Sequence, residues 1–299
     1  MKIVVSPRYT AAVPGHNFIN AKFYQTALEL AARGVISADM IIEPDLPDRE
    51  TLLLAHSPDW TDRVLNNALT AEEIAAAEHP FTPEISSAHQ LACTGGVLAA
   101  GLALKAGLGL HCGGGGHHAG FSRGGGYCFL NDIAVAVNWA RRRGGIRKAA
   151  VIDLDAHQGD GTAGIFSAEP DVFTFSMHNG NIFPQPPVPG DLDIPLEPGT
   201  GGAEYLAKLE PALERVFESG PEFVMYLAGA DCFRDDRLGG LALSAEELRR
   251  RDELVFSACL KRGIPVAVAL GGGYARNPGD TVRLHANTLE AGLAVYGFL

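Results

Sequence analysis

What this chain has little of narrows its class first. Its 299 residues include only five cysteines (Cys93, Cys112, Cys128, Cys232, Cys259), odd in number, widely spaced and without a CxxC pair. That excludes a disulfide framework or a structural zinc knuckle as the organising device, and the thiols read as reduced core residues. No stretch approaches the roughly 18 apolar residues of a membrane span, and the opening MKIVVSPRYT lacks the apolar region of a signal peptide. The expectations are no membrane partner and a cytoplasmic address. Basic residues are scarce too: 24 Lys and Arg against 35 Asp and Glu give a formal net charge of -11. Phosphate binding needs a basic face that this balance makes harder to assemble, so no direct contact with nucleic acid is expected. The balance suits a cationic partner such as a lysine-bearing peptide, and equally suits plain solubility. With no low-complexity linker, charge break or internal repeat, one domain over 1–299 is expected.

What is present is a regular alternation. At 46% hydrophobic the chain can bury a sizeable core. Continuous apolar, β-rich runs occur at KIVVS near the start and at 107–113, 148–155, 171–177, 222–231 and 264–274. Such runs suit strands buried on both faces of a parallel sheet. Helical patterns lie between them at 21–34, 89–106, 132–143, 202–219 and 244–263, the last opening with Ser244 and Glu247 in capping-box spacing. Strand and helix alternation predicts a doubly wound α/β sheet.

In such sheets functional groups gather beyond the carboxyl ends of the strands. Here His117 and His118 follow one run, Asp153, Asp155 and His157 end another, and Ser176, Asp231 and Tyr274 end three more. Asp155 and His157, two residues apart on an extended strand end, aim toward one side. Asp231 supplies a third candidate ligand, leaving a metal position open for water or substrate. On its own a DxDxH string is more often a loop with capped turns; the other strand ends make the metal reading.

The histidine pair follows four glycines in LHCGGGGHHAG, where backbone can approach a substrate closely. The pair alone fits metal ligation, an exposed loop or general acid-base work. Asp153 and Asp160 flank the candidate ligands, and each could accept a hydrogen bond from one histidine ring. Asp160 also reads as an ordinary turn residue. Tyr274 follows Gly271–Gly273, and its phenol could stabilise an oxyanion. That glycine run is no phosphate loop, because no Gly-Lys-Ser/Thr follows.

The strings SPRY, GGGGHHAGFSRGGGYC, VIDLDAHQGDG, NIFP, AGADCFRDDRLGGL, RRRDELVF and GGGY span the chain in order. With them the sequence resembles the zinc-dependent histone deacetylase family, and within it class IV deacetylases and their bacterial relatives. The resemblance implies a single-domain, three-layer arginase/deacetylase-like fold with a mostly parallel sheet flanked by helices. It implies zinc on Asp155, His157 and Asp231, a ligand set that iron accepts as well. His118 would be the main base and acid, His117 its support, Asp160 and Asp153 their respective carboxylates, and Tyr274 the group polarising the amide carbonyl. It further implies potassium on Asp153, Ser176 and main-chain oxygens of Asp155, His157 and Met177, and an acyl-lysine tunnel walled by Gly126, Tyr127, Phe183 and Leu238.

Two positions refine this. Arginase-type enzymes carry further aspartates two residues beyond the equivalents of His157 and Asp231; here these are Gly159 and Phe233, which favours one metal over two. Gln158 stands where many class I and II relatives have a second histidine, as in class IV. The expected activity is lysine deacylation of peptides or proteins, with a possible long-chain preference. Alternatives are an acylpolyamine amidohydrolase and a catalytically silent acyl-lysine binding module.

Overall fold

The computed structural model describes residues 1–11, 13, 15, 16 and 20–299. Its centre is one eight-stranded sheet: β1 Ile3–Val4, β2 Ile41–Ile42, β3 Leu108–His111, β4 Ala149–Asp153, β5 Val172–Asn179, β6 Leu192–Leu196, β7 Phe223–Ala228 and β8 Val266–Leu270. The order is β2-β1-β3-β8-β7-β4-β5-β6, and every pairing is parallel. The expected mostly parallel, three-layer α/β architecture is therefore present, with the sheet parallel throughout.

Alternation of side chains builds both cores. Along β4, Ala150 and Ile152 join one buried cluster while Ala149 and Val151 join the other; along β7, Val224 and Tyr226 part in the same way from Phe223 and Met225. Helices Ala21–Ala32, Gly202–Glu218, Ala245–Arg262 and Pro278–Val295 cover the first face, and Pro83–Ala106 and Asp132–Arg143 the second. Because both faces are covered, the strands read as unbroken apolar runs. The Ser244–Glu247 capping box forms, and Gly263 ends that helix in the left-handed region at φ 66°. Gly109 admits the closest helix approach: a Cβ there would lie 1.9 Å from the Ala99 carbonyl oxygen. All five cysteines are free and buried. Among the described residues no helix is long and apolar enough to cross a membrane.

The loop that follows β3 is pinned by a histidine from outside the sheet. His56 is buried, its Nδ1 lies 3.0 Å from the Gly120 carbonyl oxygen, and its Nε2 accepts from the Asn131 N–H at 2.9 Å. That accepting role requires the neutral ring, and burial lowers its pKa to about 4. A base depressed on folding contributes stability above its unfolded pKa of about 6.5, and this is lost as pH falls toward 4. The stability advantage of the native chain over His56→Gln is therefore expected to shrink by about 3 kcal/mol between pH 7 and pH 4. Urea unfolding of both proteins at the two pH values measures it; a constant gap would contradict the assignment.

Candidate active site

Adjacent strands deliver the site. Asp155 and His157 lie just beyond β4, Asp231 beyond β7, Tyr274 beyond β8 and the histidine pair beyond β3, so they gather beyond the carboxyl ends of the four central strands. One ligand atom each from Asp155, His157 and Asp231 falls within a mutual distance of 4.8 Å. His157 Nδ1 sits 3.1 Å from Asp155 Oδ1 and 2.9 Å from Asp231 Oδ2. Backbone N–H groups hold the carboxylates. Gly272 donates to Asp155 Oδ2 at 2.6 Å, His157 to Asp155 Oδ1 at 3.0 Å, and Ala156 to Asp231 Oδ1 at 2.9 Å. Glycine is needed at 272 because a Cβ there would lie 2.2 Å from Asp231 Oδ2.

These groups fit a metal ion electrostatically. Two carboxylates lie buried side by side; burial and the Asp155 charge push Asp231 well above the usual carboxylate range. Burial opposes a charge on His157, yet Asp155 and Asp231 together raise its pKa to about 10, so a proton is drawn between the carboxylates. A divalent cation at this point neutralises the same pair and satisfies two hard oxygens and an imidazole.

The histidine rings lie tilted at 46° to each other with centroids 4.0 Å apart, each with its own carboxylate. His117 Nδ1 lies 2.8 Å from Asp153 Oδ2, and His118 Nδ1 lies 2.7 Å from Asp160 Oδ1. The two environments diverge. Burial disfavours charge on both rings, but at His117 the combined pull of Asp153 and Asp155 wins and the pKa rises to about 9. At His118 burial and the neighbouring His117 prevail over Asp160, and the pKa falls to about 4. One ring thus carries a proton at neutral pH and the other is free to accept one.

Tyr274 has its N–H donated to Asp236 Oδ2 at 2.6 Å, and its ring meets His157 edge-on at 6.4 Å. Burial and the charges of Asp155 and Asp231 raise its pKa, so the phenol stays protonated and able to donate. The cavity over these groups is lined by His117, His118, Asp155, His157 and Tyr274 and, among the expected wall residues, by Gly126 and Tyr127. Phe183 stands against His118 with ring centroids 4.9 Å apart. Leu238, expected in the wall, does not line this cavity; its N–H is tied to Asp236 Oδ1, in the turn that also holds Tyr274.

Of the potassium set, Asp153 and Ser176 are register partners on β4 and β5, with Met177 buried beside them. Ser176 Oγ lies 2.8 Å from His178 Nδ1, and Asp153 Oδ1 accepts from the Asp155 N–H at 3.1 Å.

Sequence reasoning missed three groups here. Lys22, buried on helix Ala21–Ala32, donates to the Gly271 carbonyl oxygen at 3.0 Å and lies 5.1 Å from the centre of the Tyr274 ring. Asp132 accepts from the N–H groups of Gly115 and Gly116, fixing the glycine loop ahead of the histidines. Arg123 donates to Asp160 Oδ2 at 2.7 Å. Lys22 had a signal: it shares the stripe of Phe23, Thr26, Ala27 and Leu30 that the helix buries.

Set beside known proteins, the chain belongs to the histone deacetylase domain family, whose family model matches residues 16–289. It is 40% identical to an uncharacterised protein of Picosynechococcus, over 98% of this chain and 99% of that one. It is 31% identical to histone deacetylase 2 of Arabidopsis thaliana, over 97% of this chain and 78% of the other. The fold matches the crystal structure of acetylpolyamine aminohydrolase from Burkholderia pseudomallei with a TM-score of 0.81, at 19% identity and 99% coverage of both chains.

Proposed function

We propose that this chain is a zinc-dependent lysine deacylase of the class IV type, acting as one catalytic domain on short acyl groups. The observation that carries this reading is a three-ligand cluster that opens on one cavity through Asp155 and His157, with His118 and Tyr274 lining the same cavity. Asp155, His157 and Asp231 would hold zinc, which would supply Lewis-acid polarisation of the amide carbonyl and an acidified water. Iron(II) suits the same donors. Potassium would sit on Asp153, Ser176 and the main-chain oxygens of Asp155, His157 and Met177.

His118 accepts the proton released as water attacks, and Asp160 fixes its tautomer by accepting from Nδ1–H. The Tyr274 hydroxyl donates to the developing oxyanion from the other side. His117, paired with Asp153, supports His118 from beside it. A histidine then delivers a proton to the lysine nitrogen, which leaves as the amine, and the acyl group departs as a carboxylate.

The lining supports a short acyl group: the side chains of His117, His118, Tyr127, His157 and Tyr274 crowd the cavity directly over the cluster, which suits a lysine arm ending in an acetyl group. A panel of acetyl-, octanoyl- and myristoyl-lysine peptides plus an acetylated polyamine, assayed with zinc-loaded and chelator-stripped protein, tests this. Expected is zinc-dependent turnover of acetyl-lysine at least tenfold above the longer chains. Equal or faster octanoyl or myristoyl turnover would overturn the short-acyl assignment, and preference for the polyamine would move the protein to small-molecule amidohydrolases. Binding without hydrolysis, unaffected by His118→Ala, would make it a silent acyl-lysine reader.

A further inference from the structure

The helix Ala245–Arg262 carries a fully buried arginine that does not line the cavity. Arg251 Nη1 donates to the Leu154 carbonyl oxygen at 3.0 Å and to the Gly229 carbonyl oxygen at 2.7 Å. Leu154 directly precedes Asp155, and Gly229 lies two residues before Asp231. One nitrogen therefore bridges the backbones of the two segments that present the aspartates. The rest of the guanidinium is held by Asp252, whose Oδ1 accepts from Arg251 Nε at 2.8 Å and from the Tyr226 hydroxyl at 2.5 Å. Asp252 Oδ2 accepts from Thr288 Oγ1 at 2.6 Å, tying the assembly to helix Pro278–Val295. The Cys232 thiol also reaches the Leu154 carbonyl, at 3.4 Å.

From this clamp we infer that Arg251 is a positioning residue that sets the spacing of Asp155 and Asp231 and so tunes how tightly the site holds its metal. The pair Arg251–Asp252 is neutral overall, so its action is geometric. A metal site loses affinity when supporting groups let its ligands drift by about half an ångström. Arginine suits the task because its planar, rigid fork reaches two carbonyls and a carboxylate at once, whereas lysine offers a single donor centre. The inference rests on the metal reading of the site.

The decisive variant is Arg251→Lys, which keeps the positive charge but whose single nitrogen cannot hold both carbonyls and the Asp252 carboxylate at once. Metal affinity is measured by competition against a chromogenic chelator, and ligand geometry by the visible spectrum of the cobalt(II)-loaded protein. Expected are at least tenfold weaker zinc binding, an altered cobalt spectrum, and a lowered kcat with KM unchanged, while circular dichroism of the metal-free protein stays native. Should Arg251→Lys fail to fold, Thr288→Val decides instead: it loosens Asp252 without touching the arginine, and a two- to fivefold weakening with a shifted cobalt spectrum is expected. Native zinc affinity and cobalt spectrum in the folded variant would overturn the inference alone. A native chain that binds neither zinc nor cobalt would overturn the metal reading, and this inference with it.

Discussion

Replacing His118 with alanine is expected to lower kcat for acetyl-lysine hydrolysis by roughly 10²–10⁴, the range for losing a positioned general base. KM, zinc affinity and the thermal midpoint should change little. The reasoning starts from divergence within the pair. Two adjacent histidines with one carboxylate each would ordinarily titrate alike. Burial disfavours charge on both rings; in the metal-free protein His117 faces both Asp153 and Asp155 and holds its proton, while His118 has Asp160 alone and is further discouraged from charging by His117. A ring held neutral can take a proton from water; one that is already charged cannot. His117→Ala should therefore cost less than His118→Ala, and Asp160→Asn should fall between native and His118→Ala because it loosens the tautomer without removing the base. Arg123 on the far oxygen of Asp160 keeps that carboxylate ionised, since its pull and that of His118 together overcome burial. Retention of activity within threefold in His118→Ala, or a larger loss in His117→Ala, would reverse the assignment of roles.

Much of this arrangement was readable before any coordinates, for a physical reason. In a parallel sheet covered on both faces the central strands are apolar along most of their length, so polar residues gather where a strand ends, and the chemistry announces itself as Asp, His or Tyr closing an apolar run. VIDLD, YLAGAD and ALGGGY all have that form. The unread pieces lack it. β6 contains Asp193 and Pro195 on the sheet edge, where a missing N–H costs no ladder bond, and so does not look like a strand. Helix Pro278–Val295 opens with Asn-Pro-Gly, which reads as a turn although Asn277 caps the helix and Pro278 occupies its first turn. The short helix Asp160–Phe166 hid in a Gly-Asp-Gly string for the same reason.

The supporting groups were harder to see, though periodicity held clues. In RRRDELVF three arginines look alike, but Leu248, Arg251, Asp252, Val255, Phe256 and Cys259 recur at helical spacing and all are buried. Arg249 instead pairs with Glu253 and Glu290 nearer the surface, and Arg250 is mostly exposed. An ion pair falling on an apolar stripe marks a buried network, and here that network lies directly behind the ligand-bearing segments.

The second large effect is expected at Asp231. Asp231→Asn should weaken zinc binding by on the order of a thousandfold and reduce hydrolysis to background, because a neutral amide is a poor third donor for a cation that otherwise meets two carboxylates. Stability separates this loss from unfolding. In the metal-free protein Asp231 is a liability above neutral pH: burial and Asp155 raise its carboxyl, so ionising it costs more folded than unfolded. The metal-free variant should accordingly unfold no more easily than metal-free native protein at pH 8. Added zinc reverses the comparison. At a thousandfold excess over its dissociation constant a ligand stabilises the fold by about 4 kcal/mol, and only the native chain would show the corresponding rise in Tm. Scanning calorimetry of both proteins with and without zinc measures the four states. An equal zinc-induced rise in both would remove Asp231 from the ligand set, and a metal-free variant markedly less stable than metal-free native protein would show that its carboxylate serves the fold rather than the metal.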